Sequence, residues 1–317
     1  MKSKTIGILV CGLLIATCIL PVCGVESVDN KINDSSLTLK QIHKDTISTD
    51  GTEYWALLVA VGVYLNHPEM DRPSMLVEVE DLYNSLLSSE NWESSHIQKI
   101  TGENANNANI ISGLRWLAKM DDGDDIALVY ITTHGGFLPI DIPPRDEADG
   151  KDELLVPYEG FDDSTKDIWD DELIFLLNLL ESKGVCVIID SCYSGGFNDR
   201  SFIKGIDKPI GRVVTKVKHL VDRYYYALWM EDFSKDVSGN SRVVLMSCGE
   251  EELSYGSYFS GYIADGLRGN ADSNKDKVCS AEEVFNYARP RVEQLGMQHP
   301  TILDLYAGDL PLTGEIT

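Results

Sequence analysis

One cysteine and one histidine stand in the same local setting in this chain of 317 residues. From Val185 to Gly196 the sequence reads VCVIIDSCYSGG, an apolar β-branched run that ends at Asp190-Ser191-Cys192 and gives way to small residues. Earlier, the run IALVYITT delivers His134, and Gly135 and Gly136 follow. A thiolate is a strong nucleophile near neutral pH, and a neighbouring imidazole both activates it and later protonates a leaving amine. Held at the carboxyl ends of adjacent buried strands, the pair would occupy the edge where open α/β sheets collect catalytic groups. The glycines would leave room for a scissile carbonyl, with the backbone N–H groups of Gly135 and Cys192 as an oxyanion hole. His43, His67, His96, His219 and His299 follow no core strand directly. No CxxC or HExxH spacing offers a Cys or His metal site.

The elements that must position the pair are legible as alternating apolar runs. Trp55–Val63, a short run near Ile97–Ile100, Ile126–Thr132, Val185–Ile189 and Arg242–Ser247 read as strands covered on both faces. Met75, Leu76, Val79, Leu82, Tyr83, Leu86 and Leu87 recur at helical spacing, as do Ile110, Ile111, Leu114 and Leu117 after an Asn-rich start. A third helix is expected over Asp171–Leu180, and two more over Phe259–Leu267 and Ala281–Leu295, before a last short run at Ile302–Tyr306. Strand–helix alternation with short connections predicts a mostly parallel sheet with helices on both faces.

The net charge of −24 excludes a nucleic-acid partner, which needs a basic footprint, and favours cations. Residues 1–25 carry Lys2 and Lys4 ahead of a long uncharged run, the pattern of a secretory signal or of an uncleaved membrane anchor. The protein is therefore expected outside the cell, secreted or anchored facing outward, with membrane contact only through this segment. Residues 26–52 read as a linker or pro-segment, and 53–317 as the main domain. Beyond the leader, Cys186, Cys192, Cys248 and Cys279 are compatible with two disulfides, but Cys186 and Cys248 sit in or beside strand-like runs, and free thiols are the favoured reading. Between Arg200 and Arg242 the basic residues cluster, as either a solvated helix or an exposed, cleavable loop.

THGG after an apolar strand, then an acidic D-G-x-D-E loop with P-Y, then DSCYSGG, together resemble the caspase-hemoglobinase clan of cysteine peptidases, metacaspases and their prokaryotic caspase-like relatives in particular. The nucleophile motif departs from the caspase Q-A-C-x-G and fits the metacaspase D-x-C-x-S-G, with Tyr193 where His is common. The resemblance implies a caspase-like three-layer α/β/α sandwich with about six strands, and a Cys192–His134 dyad. It also implies a pocket for a P1 Arg or Lys lined by Asp190, Asp81 and Thr132, which would hold a guanidinium through charge-assisted hydrogen bonds. A Ca²⁺ site near the active-site loops maps onto Asp149, Asp170, Asp171 and Asp199. No organic cofactor is expected.

Independently, DSNKDKVCSAEE places Asp272, Asn274, Asp276 and Glu283 at positions 1, 3, 5 and 12 of an EF-hand-like loop, with Lys277 where glycine is usual. Ser280 and Glu283 also form a capping box for the last helix, whether or not metal is present. The expectation is an exported, Ca²⁺-responsive endopeptidase acting on peptides or proteins with a basic P1 residue and processing its own basic segment. A legumain-like peptidase or transpeptidase selecting Asn or Asp, and a catalytically silent binding module, are the alternatives.

Overall fold

Runs of apolar residues too short for helices build one central sheet. The computed structural model describes residues 51–138, 152–193, 241–248, 258–296 and 298–314. The leader, most of the linker and the basic segment up to residue 240 lie outside these. β1 (Tyr54–Ala60), β2 (Ile97–Thr101), β3 (Ile126–Leu138), β6 (Gly184–Tyr193) and β7 (Arg242–Met246) are mutually parallel, and β8 (Thr301–Asp304) closes the sheet antiparallel to β7. β4 (Asp152–Leu155) and β5 (Ile168–Trp169) form a small antiparallel extension on β3. In space the main path runs β2-β1-β3-β6-β7-β8, six strands as expected and mostly parallel, with β4 and β5 added off it to make eight.

Helices cover both faces. α1 (Ser74–Leu87), α4 (Tyr258–Asp265) and α5 (Ala281–Glu293) pack Val79, Leu82, Phe259, Ile263, Phe285 and Ala288 against Leu58, Leu128, Ile188 and Leu245. On the other face, α2 (Asn107–Met120) and α3 (Asp170–Leu177) pack Ile110, Leu114, Leu117, Leu173 and Leu176 against Leu57, Val129 and Val187. α2 starts on Asn106, whose side chain accepts from the Asn109 N–H at 2.9 Å. α3 begins at Asp170 and ends at Leu177, shorter than expected. Among the described residues no helix is long and apolar enough to cross a membrane.

Two strands run further than their apolar patterns imply. β3 continues past Thr132 through His134 to Leu138, because β4 pairs with it from Gly135 to Leu138. β6 continues to Tyr193 on the β3 ladder. His134 and Cys192 are thus not loop residues beyond the strands but members of their last paired rungs.

Candidate active site

The β3–β6 register sets His134 directly opposite Cys192, and Thr132 opposite Asp190. Paired residues on neighbouring parallel strands are about 4.8 Å apart. The nucleophile candidate and its base candidate therefore sit one strand spacing from each other at the carboxyl edge of the sheet. Gly135 occupies the next rung, paired with Tyr193 on one side and Leu155 on the other.

His134 is 3% exposed, and its surroundings fix its tautomer. Nε2 lies 2.8 Å from the Met70 carbonyl oxygen. A carbonyl only accepts, so Nε2 carries the proton and Nδ1 is left with its lone pair. Nδ1 is buried without a hydrogen-bond partner among the described residues. Burial lowers the imidazole pKa from its usual value; the Met70 carbonyl opposes this, and the charge of Arg72 adds to it. The ring is a neutral base near pH 7, proton fixed on one nitrogen and lone pair offered on the other. Phe161 packs edge-on to it with ring centroids 5.7 Å apart.

The Met70 carbonyl is presented by a loop that leaves β1 at Gly62, where φ is +65°. Arg72 N–H bonds the Gly62 carbonyl at 2.9 Å, and Tyr64 N–H bonds Asp71 Oδ1 at 2.9 Å, closing the loop on itself. A main-chain carbonyl as the imidazole's orienting partner has no side-chain signature, so nothing in the sequence marks Met70.

Beside the pair, Asp190 is 4% exposed and its Oδ2 accepts from the hydroxyl and the N–H of Ser260 at the start of α4. Ser260 Oγ also lies 2.9 Å from the hydroxyl of the fully buried Tyr130. Burial raises the Tyr130 pKa well above the phenolic range, and the charges of Asp190 and then Glu78 raise it further. Thr132 is buried on the rung opposite Asp190. Asp81 is differently placed: its carboxylate is ion-paired with Arg268 and is partly exposed. The acid that α1 buries is Glu78, at 7% exposure. The spacing could have found it, since Glu78 is four residues before Leu82 and eight before Leu86, on the apolar stripe.

Of the expected Ca²⁺ ligands, Asp149 and Asp199 fall outside the described residues, while Asp170 and Asp171 are the first residues of α3. Asp272, Asn274 and Asp276 lie in the turn between α4 and α5, and Glu283 in the first turn of α5. Asp272 accepts from the N–H groups of Asp276 (3.2 Å) and Lys277 (3.1 Å), and Glu283 Oε1 accepts from those of Ser273 (3.0 Å) and Asn274 (3.2 Å). Lys277 takes φ +70°, so the tight turn forms without the glycine. The carboxylates of this loop are taken up by its own N–H groups, and among the described residues the acids whose oxygens converge closely enough to share a cation are Asp122, Asp124 and Asp125 instead. The capping box is present: Glu283 N–H bonds Ser280 Oγ at 3.1 Å and Ser280 N–H bonds Glu283 Oε2 at 3.3 Å. Cys186, Cys248 and Cys279 are buried and form no disulfide among the described residues.

A family model for the metacaspase peptidase C14 domain matches residues 73–201. The chain is 35% identical over 98 residues to Metacaspase-1 of Ajellomyces capsulatus, covering 30% of this chain and 26% of that one. It is 31% identical over 100 residues to Metacaspase-1B of Aspergillus niger, covering 31% and 22%. The matches thus span about a quarter of these relatives' length. The crystal structure of Caspase-1 from Spodoptera frugiperda superposes with a TM-score of 0.51 over 83% of this chain and 91% of that one, at 14% identity, a likeness of fold.

Proposed function

We propose that this chain, similar to the metacaspase peptidase C14 domain over residues 73–201, is a cysteine endopeptidase cleaving after Arg or Lys, with Cys192 as nucleophile and His134 as general base and acid. The observation that carries this reading is the pairing of His134 with Cys192 on the last rungs of β3 and β6, with the imidazole proton committed to the Met70 carbonyl. Nδ1 takes the thiol proton, and the thiolate attacks the scissile carbonyl. Nδ1 then returns the proton to the leaving amine, and water hydrolyses the acyl-enzyme. Asp190 and Thr132, with Glu78 or Asp81 from α1, form the P1 pocket; a buried negative field there favours guanidinium or ammonium and rejects an acidic side chain. Ca²⁺ supports activity, held by Asp272, Asn274, Asp276 and Glu283 or by acids of the active-site loops, and would order the segments that carry them. Residues 1–25 export the protein or hold it on the outer surface, and the basic segment 200–242 is cut by the enzyme itself.

The test is a panel of fluorogenic peptides differing only at P1, with and without Ca²⁺. Turnover confined to Arg and Lys, lost in Cys192→Ala and His134→Ala, is expected. Glu78→Gln should lower kcat/KM for Arg more than Asp81→Asn does. Turnover of Asn or Asp peptides would replace this reading with the legumain-like one, and none at all with the binding module.

A further inference from the structure

At the point where His134 joins the β3 ladder, β1 has already left the sheet. The last β1–β3 rung joins Ala60 to Thr132, the Val61 N–H still reaches the Thr132 carbonyl at 3.1 Å, and the chain then turns at Gly62. The His134 N–H faces the gap that β1 vacates. A side chain takes it up: the Tyr64 hydroxyl oxygen lies 3.0 Å from the His134 nitrogen. That hydroxyl is also 2.9 Å from Thr133 Oγ1, which itself bonds the Val156 carbonyl.

The direction of each bond follows by elimination. The Val156 carbonyl only accepts, so the Thr133 proton points to it, and Thr133 Oγ1 must accept from Tyr64. The Tyr64 oxygen in turn accepts from the His134 N–H. The result is one oriented chain, His134 N–H to Tyr64 O–H to Thr133 O–H to Val156 C=O. Meanwhile the Tyr64 ring lies 5.1 Å from the His134 ring and 4.9 Å from that of Phe161. Tyr64 thus grips the backbone of His134 with its hydroxyl and flanks its imidazole with its ring. Its own N–H is tied to Asp71, beside the Met70 carbonyl that orients Nε2.

We propose that Tyr64 is a positioning residue for His134, its hydroxyl substituting for the missing strand and holding the residue in place on the rung it shares with Cys192. The assignment rests on the functional reading above and goes beyond it in naming a residue that acts through His134. Displacing a base by a fraction of an ångström lowers the rate of proton transfer without loosening substrate binding.

The experiment compares wild type with Tyr64→Phe, which keeps both ring contacts and removes only the hydroxyl. Expected are a fall in kcat of roughly 10- to 100-fold with KM little changed, and slower alkylation of Cys192 by iodoacetamide with its pH midpoint moved upward. Thr133→Val should act in the same direction and Thr133→Ser should restore both readouts. In a His134→Ala background Tyr64→Phe should add nothing. A Tyr64→Phe protein with wild-type kcat and alkylation profile overturns the proposal, as does an equal further loss in the His134→Ala background. The alkylation profile separates the two ideas: a protein that cuts no peptide yet shows Tyr64- and His134-dependent thiol reactivity retains the positioning role and loses the peptidase reading.

Discussion

His134 illustrates how one residue's environment sets both its chemistry and its contribution to stability. Burial is the largest influence on its imidazole and lowers the pKa in the folded chain. In the unfolded chain the ring takes up a proton as pH falls through about 6.5, whereas the folded ring stays neutral to lower pH. The unfolded state therefore binds more protons in that window, so the full stability present above the unfolded value is progressively lost as pH falls toward the folded one. Urea midpoints followed from about pH 7.5 to 5.5 should fall more steeply for wild type than for His134→Gln. Equal slopes would show that burial does not perturb this imidazole. The same depressed pKa keeps the base form available in mildly acidic surroundings, where a free imidazole would be protonated.

Among the elements, the sheet was readable and its embellishments were not. Parallel strands buried on both faces write themselves as unbroken apolar runs, which is why β1, β3 and β6 and the helices between them are legible, whereas β2 and β7, half-buried, show only short runs. β4 and β5 have only four and two residues, and β4 opens with Asp152-Glu153, so neither run nor alternation announces them. The pairing of β4 carries β3 on from Gly135 to Leu138, just beyond His134. Cys192 and His134 were legible from residue type and the glycines that follow. Met70 acts through its main chain, Tyr64 through a hydroxyl far in sequence from His134, and Glu78 is marked by helical spacing alone, whereas the resemblance points to Asp81. The loop that presents Met70 depends on Gly62: at φ +65° a Cβ would lie 2.9 Å from Leu76 Cγ and 3.2 Å from the Arg72 carbonyl. Left-handed backbone costs an L-residue roughly 1–2 kcal/mol. Gly62→Ala should lose about that much stability in urea titration and lower kcat as well. Loss of stability with kcat intact would detach this turn from the orientation of His134.

For the whole molecule, the order of strands in space matters more than their order in sequence. β6 and β7 are neighbours, with Val185–Ile189 laddered against Arg242–Met246, although the long basic segment separates them along the chain. The residues after that segment are bound into the first half at several further points: Ser247 N–H to the Ile189 carbonyl at 3.0 Å, Trp92 Nε1 to the Leu312 carbonyl at 2.7 Å, and Tyr130 to Ser260. A break anywhere between Tyr193 and Ser241 severs none of these bonds. A nicked chain would thus persist as a two-piece particle, joined by the sheet instead of the peptide backbone. On a denaturing gel it should run as two fragments, and on a sizing column as one species with the elution volume of the intact chain. Fragments that separate on the column would mean that the β6–β7 seam needs its covalent tether. If they stay together, scission is conformationally cheap, and the two halves expressed as separate polypeptides should find each other and rebuild the His134–Cys192 rung.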